Sequence, residues 1–112
     1  MLDTAPLTVP AQLLSDRLRR LPESALRRGA AAEGLALARE LARRAQLLEF
    51  PARTPLELPD VGVLAVGDQL AVAAHDLAEI VRDVDAADEL ADAAGLVAAA
   101  ARRIGDAATA RR

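Results

Sequence analysis

The chain has 112 residues with 17 acidic and 14 basic side chains, for a formal net charge of −3. This length is typical of one small domain. Cysteine is absent, which excludes a disulfide framework, a cysteine-based zinc site and a thiol nucleophile. Alanine and leucine dominate the apolar residues and Phe50 is the only aromatic one, so the composition predicts an all-α protein rather than a β-rich core.

The ends and the hydropathy of the chain bear on its compartment. No basic segment precedes an apolar run at the N-terminus, so we expect no secretory signal. No uncharged stretch approaches the ~20 residues that a membrane-spanning helix needs. All basic residues are Arg, and Lys and Asn are absent, a bias typical of GC-rich bacterial genomes. We therefore expect a bacterial, cytoplasmic protein without membrane contact.

The first half of the chain predicts an arm and two helices. Residues 1–8 contain a proline and are expected to form a flexible N-terminal arm. Apolar residues at three-four spacing predict a short helix over about 9–20. Pro22 suits the first turn of a new helix, which the 3.6-residue recurrence of Leu and Ala extends over 22–49.

The second half predicts a loop and two more helices. Three prolines lie in the loop over residues 50–60. A heptad pattern predicts a helix over about 60–84, and the apolar stripe then resumes in a different phase over about 86–109. A turn at residues 83–85 is favoured because Asp85 can cap the following helix. One continuous helix over 60–110 stays open as the alternative.

Together these elements predict an antiparallel helical bundle of three long helices plus a short N-terminal helix, forming one domain over residues 9–110. The stripes of small residues indicate close approach between helices. Alanine contributes little burial per residue, so such a bundle would gain buried area from a second copy. A homodimer is therefore expected.

The loop over residues 50–60 is the predicted site of partner contact, because it is longer than the usual 2–8 residues of a bundle connection. Its prolines separate apolar and cationic side chains, and the predicted contact residues are Phe50, Arg53, Leu56 and Leu58. The alternative is that the apolar members of this set close the open end of the bundle.

Charge is divided unevenly along the chain. Residues 1–55 hold nine Arg against six acids, whereas residues 56–112 hold five Arg against eleven acids. The simpler interpretation is that a basic helix pair packs beside an acidic pair. The alternative is a surface for nucleic-acid phosphates, whose candidate residues are Arg27, Arg28, Arg39, Arg43 and Arg44. The acidic composition and the lack of an aromatic side chain beside these arginines for base stacking count against it.

His75 is the only histidine and is expected to be exposed on its helix. The segment Ala74-His75-Asp76-Leu77 resembles the histidine phosphotransfer domains of bacterial phosphorelays, which are four-helix bundles with an exposed phospho-accepting histidine. The resemblance implies that His75 is a phospho-acceptor. The chain departs from that family at Ala78, where Lys is usual, and at Glu79, where Gly is usual.

Motifs for catalysis are missing from the sequence. It contains neither a Gly-x-Ser-x-Gly elbow nor a glycine-rich phosphate loop. A di-iron bundle needs Glu-x-x-His on two helices, but the chain has one His, and Val72 stands three residues before it. We therefore expect no enzymatic activity, no cofactor and no metal. The expected function is that of an adaptor, scaffold or regulator that contacts a protein partner through its helix faces.

Overall fold

The computed structural model describes residues 1–109, which form helices and no strands. The all-α prediction is confirmed, and residue 110, the predicted end of the domain, lies outside the described residues. The long helices are α1 (Ala5–Arg20), α3 (Ala31–Glu49), α4 (Val66–Val84) and α5 (Ala87–Thr109). A short helix α2 (Glu23–Ala25) and a π-helical turn (Leu26–Ala30) precede α3, and a 3-10 turn (Val63–Ala65) precedes α4.

Helix α1 begins at Ala5, four residues before the predicted start, and has 16 residues. Leu7 is fully buried, and the Thr4 hydroxyl accepts a hydrogen bond from Arg82 at 2.8 Å. The predicted flexible arm over residues 1–8 is therefore wrong for residues 5–8. Pro6 does not end the helix, because proline is accepted in the first turn, where its missing N–H would have no partner.

The predicted helix over residues 22–49 is interrupted at Gly29. This residue has φ +136° and ψ −19°, a backbone conformation that residues other than glycine rarely adopt. A Cβ built on Gly29 would lie 3.7 Å from that of Ala107 near the end of α5. The kink therefore starts α3 in a new direction at Ala31 and lets the end of α5 pack closely against the π-helical turn.

Helices α3 and α4 run in the same direction. A Cβ built on Gly34, near the start of α3, would lie 2.7 Å from Val66, the first residue of α4. The ends of both helices, at Glu49 and Asp83, line one groove. The predicted antiparallel order is therefore wrong for this pair. The connection is long because the chain must return along all 19 residues of α3, about 28 Å, and we call residues 50–60 the crossover loop.

Helix α1 runs opposite to α4. The buried Ser15 hydroxyl near the end of α1 donates a 2.7 Å hydrogen bond to the carbonyl of Gly67 at the start of α4. The pair formed by Thr4 and Arg82 lies at the other end of both helices. The close approach at Gly67 brings the start of α4 directly against the backbone of α1.

Helix α5 runs opposite to α3 and packs against α1 as well. Two ion pairs join it to α3, from Arg44 to Glu89 at 3.4 Å and from Arg103 to Glu33 at 2.8 Å. Asp85, in the left-handed conformation with φ 55°, forms the turn between α4 and α5, within the residues predicted for it.

The core is built from Leu, Ala, Val and Ile of all four long helices, and its largest fully buried side chains include Leu7, Leu18, Leu41, Leu70, Leu77 and Ile104. The Cα atoms span 44 × 26 × 17 Å, so the thinnest dimension holds two layers of helices. Among the described residues, no helix has an apolar stretch long enough to cross a membrane.

Candidate functional site

The crossover loop is fastened along α3 by side chains of that helix. The Gln46 amide donates to the carbonyl oxygen of Leu56 at 2.9 Å and accepts from its N–H at 2.8 Å. Arg39 Nε donates to the carbonyl oxygen of Leu58 at 2.8 Å. These side chains satisfy backbone N–H and C=O groups of the loop that have no partner in regular secondary structure, so the loop forms a fixed wall beside α3.

A groove of about 630 Å³ lies between this wall and the C-terminal half of α4. Ala42 and Ala45 of α3 form its floor, together with Leu58 of the crossover loop and Ile80 of α4. Its volume is within the range of about 300–1,000 Å³ that is usual for ligand sites in proteins. The floor offers apolar surface to a side chain that enters from solvent.

Five carboxylates surround the groove, and no arginine of the described residues lines it, so we call it the acidic groove; the carboxylates belong to Glu49, Glu57, Asp76, Glu79 and Asp83. Glu57 lies 3.7 Å from Arg39, and Glu79 lies 3.1 Å from His75. Within residues 1–109, the other three make no ion pair. Carboxylates concentrated along a cleft attract cations and positively charged partners.

The predicted partner-contact residues divide between two places. Leu56, which is 81% exposed, and Leu58 both line the acidic groove. Phe50 and Arg53 lie outside it and stack on each other, with the guanidinium 4.3 Å from the ring centroid. Leu58 packs against the core, whereas Leu56 and Phe50 stay largely exposed, so the end-closing alternative fits only Leu58.

The five arginines of the predicted anion surface do not converge on one open site. Four of them bind oxygen atoms of their own chain: Arg27 pairs with Glu23, Arg39 binds the crossover loop, and Arg43 and Arg44 share Glu40. Arg28 is exposed and makes no hydrogen bond or ion pair among residues 1–109. The positive charge in this half of the chain is therefore largely compensated within the fold.

Glu40 has the clearest pKa shift of the structure. The hydrogen bond from Arg43, supported by the one from Arg44, lowers the pKa of Glu40 from 4.5 to about 2. The same contact raises the pKa of Arg43. Because the Glu40 side chain is 31% exposed, solvent screens the cluster and reduces its contribution to stability.

The Glu40 cluster should make stability depend on acid pH. A carboxyl group whose pKa is lower in the folded state stabilises the protein above its unfolded pKa, and this contribution is lost as the pH falls from about 4.5 to about 2. We expect Glu40→Gln to lower the free energy of unfolding by about 1–2 kcal/mol at pH 7 and to remove that part of the pH dependence. Urea unfolding followed by circular dichroism at several pH values measures this effect.

Glu49→Gln is the matched control, because it makes the same chemical change at a glutamate that no arginine of residues 1–109 contacts within 4 Å. It should change the free energy of unfolding by less than about 0.5 kcal/mol. A Glu40→Gln protein that loses stability in acid as steeply as the wild type would contradict the assignment.

His75 is exposed, as expected, and its Nε2 lies 3.1 Å from the carboxylate of Glu79. Asp76 and Glu79 beside it would repel an incoming phosphoryl group. Within residues 1–109, no three His, Asp or Glu side chains are grouped so that they could hold a metal ion. Among the described residues, no arginine pairs with Asp76 or Glu79 to offset the repulsion of a phosphoryl group.

The sequence patterns did not indicate that the α4 carboxylates and the alanine floor of the groove lie together. The available signal was the run from Glu57 to Asp92, which contains ten acids and only one arginine.

Comparison of the chain with protein-family models, with curated proteins and with solved structures finds no match.

Proposed function

We propose that this chain is a small, non-enzymatic interaction protein of the bacterial cytoplasm, an adaptor, scaffold or regulator, whose contact surface is the acidic groove. The observation that carries the proposal is the groove itself, in which an apolar floor is bordered by five carboxylates and, among residues 1–109, by no arginine. The groove is lined by three separate segments, so a partner can contact all of them at once. The four long helices, in this proposal, act as a bundle that holds those segments in place.

The chemistry of the groove selects a cationic segment with apolar side chains. Exposed ion pairs each contribute about 0–1 kcal/mol, so the carboxylates would mainly choose and orient the partner. Apolar groups that reach Ala45, Leu58 and Ile80, including the aliphatic part of an arginine side chain, would supply the larger part of the affinity. An amphipathic helix that lays one face into a groove is a common form of such recognition.

A designed peptide tests the groove directly. The cationic peptide is a fluorescein-labelled amphipathic helix of about five turns, built from leucine and arginine. We expect it to bind the wild-type protein in a fluorescence anisotropy titration. The double variant Asp76→Arg/Asp83→Arg reverses two charges of the groove and should weaken binding by at least about ten-fold.

The matched control reverses two carboxylates elsewhere. Asp92 and Asp106 are exposed on α5, outside the groove, so Asp92→Arg/Asp106→Arg changes the net charge equally. This control should bind the cationic peptide as the wild type does, apart from long-range screening by salt. Equal losses in both double variants would contradict the proposed function.

A further inference from the structure

Helix α1 carries a row of four side chains on its solvent side, and the guanidinium of one of them, Arg17, lies beside Gly105 of α5, 3.4 Å from a Cβ built on that glycine. Val9 and Leu13 are 55% and 65% exposed, and Arg17 and Arg20 follow on the same side of the helix. Their spacing of four, four and three residues places them in one line, away from the side of α1 that enters the core. Within residues 1–109, neither of these arginines makes a hydrogen bond or an ion pair. We call these four residues the α1 row.

The exposed face of α4 carries a row of matching length and opposite charge. Val72 is 61% exposed and is followed by Asp76, Glu79 and Asp83, at spacings of four, three and four residues. Each row covers eleven residue steps, about 16 Å of helix. The α1 row begins with two apolar side chains and the α4 row with one, and both rows end with charged side chains, so the two rows match best when their helices run in the same direction.

The two rows cannot meet within one chain. Helices α1 and α4 of the same chain run in opposite directions, and they contact each other through other residues, such as Ser15 and Gly67. A second copy turned end for end would place its α1 parallel to this α4. Val9 would then approach Val72, while Arg17 and Arg20 would reach the carboxylates of the acidic groove.

We infer that the acidic groove is occupied by the α1 row of a second copy of this chain, and that each copy inserts its row into the other in a closed two-fold dimer. The inference rests on the proposed function and names its partner. Two-fold symmetry uses the contact twice and leaves no row free for further growth. Charge complementarity between the rows fixes their direction. The parallel alignment sets both arginines opposite carboxylates and only Leu13 opposite a carboxylate, whereas the reversed alignment would set Val9 and Leu13 against carboxylates and Arg20 against Val72.

Light scattering with refractive-index detection tests the dimer. The wild type should elute at about twice 11.7 kDa. The variants Arg17→Glu/Arg20→Glu and Asp76→Arg/Asp83→Arg should each be monomers with an unchanged circular dichroism spectrum. An equimolar mixture of the two should return to the dimer mass. In one contact the α1 row made negative in the first variant meets the groove made positive in the second, and in the other contact the wild-type charges meet.

The control variant for the dimer is Asp92→Arg/Asp106→Arg. Its changes lie on α5, outside both rows, so it should remain dimeric. A monomeric wild type at the highest soluble concentration would overturn the inference, as would charge-reversed variants that stay dimeric or a mixture that stays monomeric. Growth of the mass beyond that of a dimer would overturn the closed arrangement.

The two proposals can fail separately. Arg17→Glu/Arg20→Glu leaves every groove residue in place, so its free groove should bind the cationic peptide at least as well as the wild type does. Peptide binding by a wild type that is monomeric would overturn the dimer and leave the proposed function standing. Failure of this α1 variant to bind the peptide would overturn the proposed function as well.

Discussion

Gly67→Val should lower the free energy of unfolding by about 2–4 kcal/mol, through forced separation of α1 and α4. A Cβ at this position would already lie 3.0 Å from the carbonyl oxygen of Ser15 and 3.0 Å from Cγ of Arg19. The Arg19 side chain can move, but the carbonyl belongs to the backbone of α1. Moving the helices apart would also stretch the buried hydrogen bond from the Ser15 hydroxyl to Gly67.

Urea unfolding followed by far-ultraviolet circular dichroism measures this loss, with Gly95→Val as the control. A Cβ on Gly95 would meet no atom within 4 Å, although this residue also lies inside a helix. The control should be at least as stable as the wild type, because glycine is among the poorest helix formers. Equal losses at the two positions would show that α1 and α4 do not approach as closely as described.

Arg39→Ala/Gln46→Ala should lower the free energy of unfolding by about 2–3 kcal/mol, because it removes three hydrogen bonds that fasten the crossover loop to α3. The loop is one wall of the acidic groove and carries Leu56 and Leu58. Its release should therefore also weaken binding of the cationic peptide. Both effects have one cause, the loss of the fixed path of the loop.

Hydrogen exchange at the Leu56 amide reports this release directly, since that N–H donates to Gln46 at 2.8 Å. The amide should exchange faster in the double variant than in the wild type. Gln12→Ala/Arg27→Ala removes the same residue types, whose partners are exposed acids of their own helical segments, and should affect neither the loop nor peptide binding. Unchanged exchange at Leu56 in Arg39→Ala/Gln46→Ala would contradict the fastening of the loop.

Local patterns in the sequence predicted the helices better than the direction in which they run. The phase change of the apolar stripe near Asp85 marked the turn where α4 ends, because each helix must present its own face to the core. The break at Gly29 was missed because apolar residues continue in phase across it. The start of α1 was missed because Pro6 was interpreted as part of an arm rather than as a first-turn residue.

The candidate site was only partly predictable. The crossover loop attracted attention through its length, and Leu56 and Leu58 indeed line the acidic groove. The rest of the groove, formed by α3 and α4, depends on the parallel course of these two helices, which the periodicity of the sequence alone cannot specify. The loop length was the one available sign of that course, because a direct turn between antiparallel neighbours needs fewer residues.

The central claim is that the acidic groove is the contact surface of this protein. Chemical-shift mapping of the cationic peptide on the nitrogen-15-labelled protein tests it most directly. The account predicts that the largest shifts fall on residues 42–49, 56–59 and 76–83, which contain the groove. Largest shifts over α5, with those three segments unchanged, would contradict it.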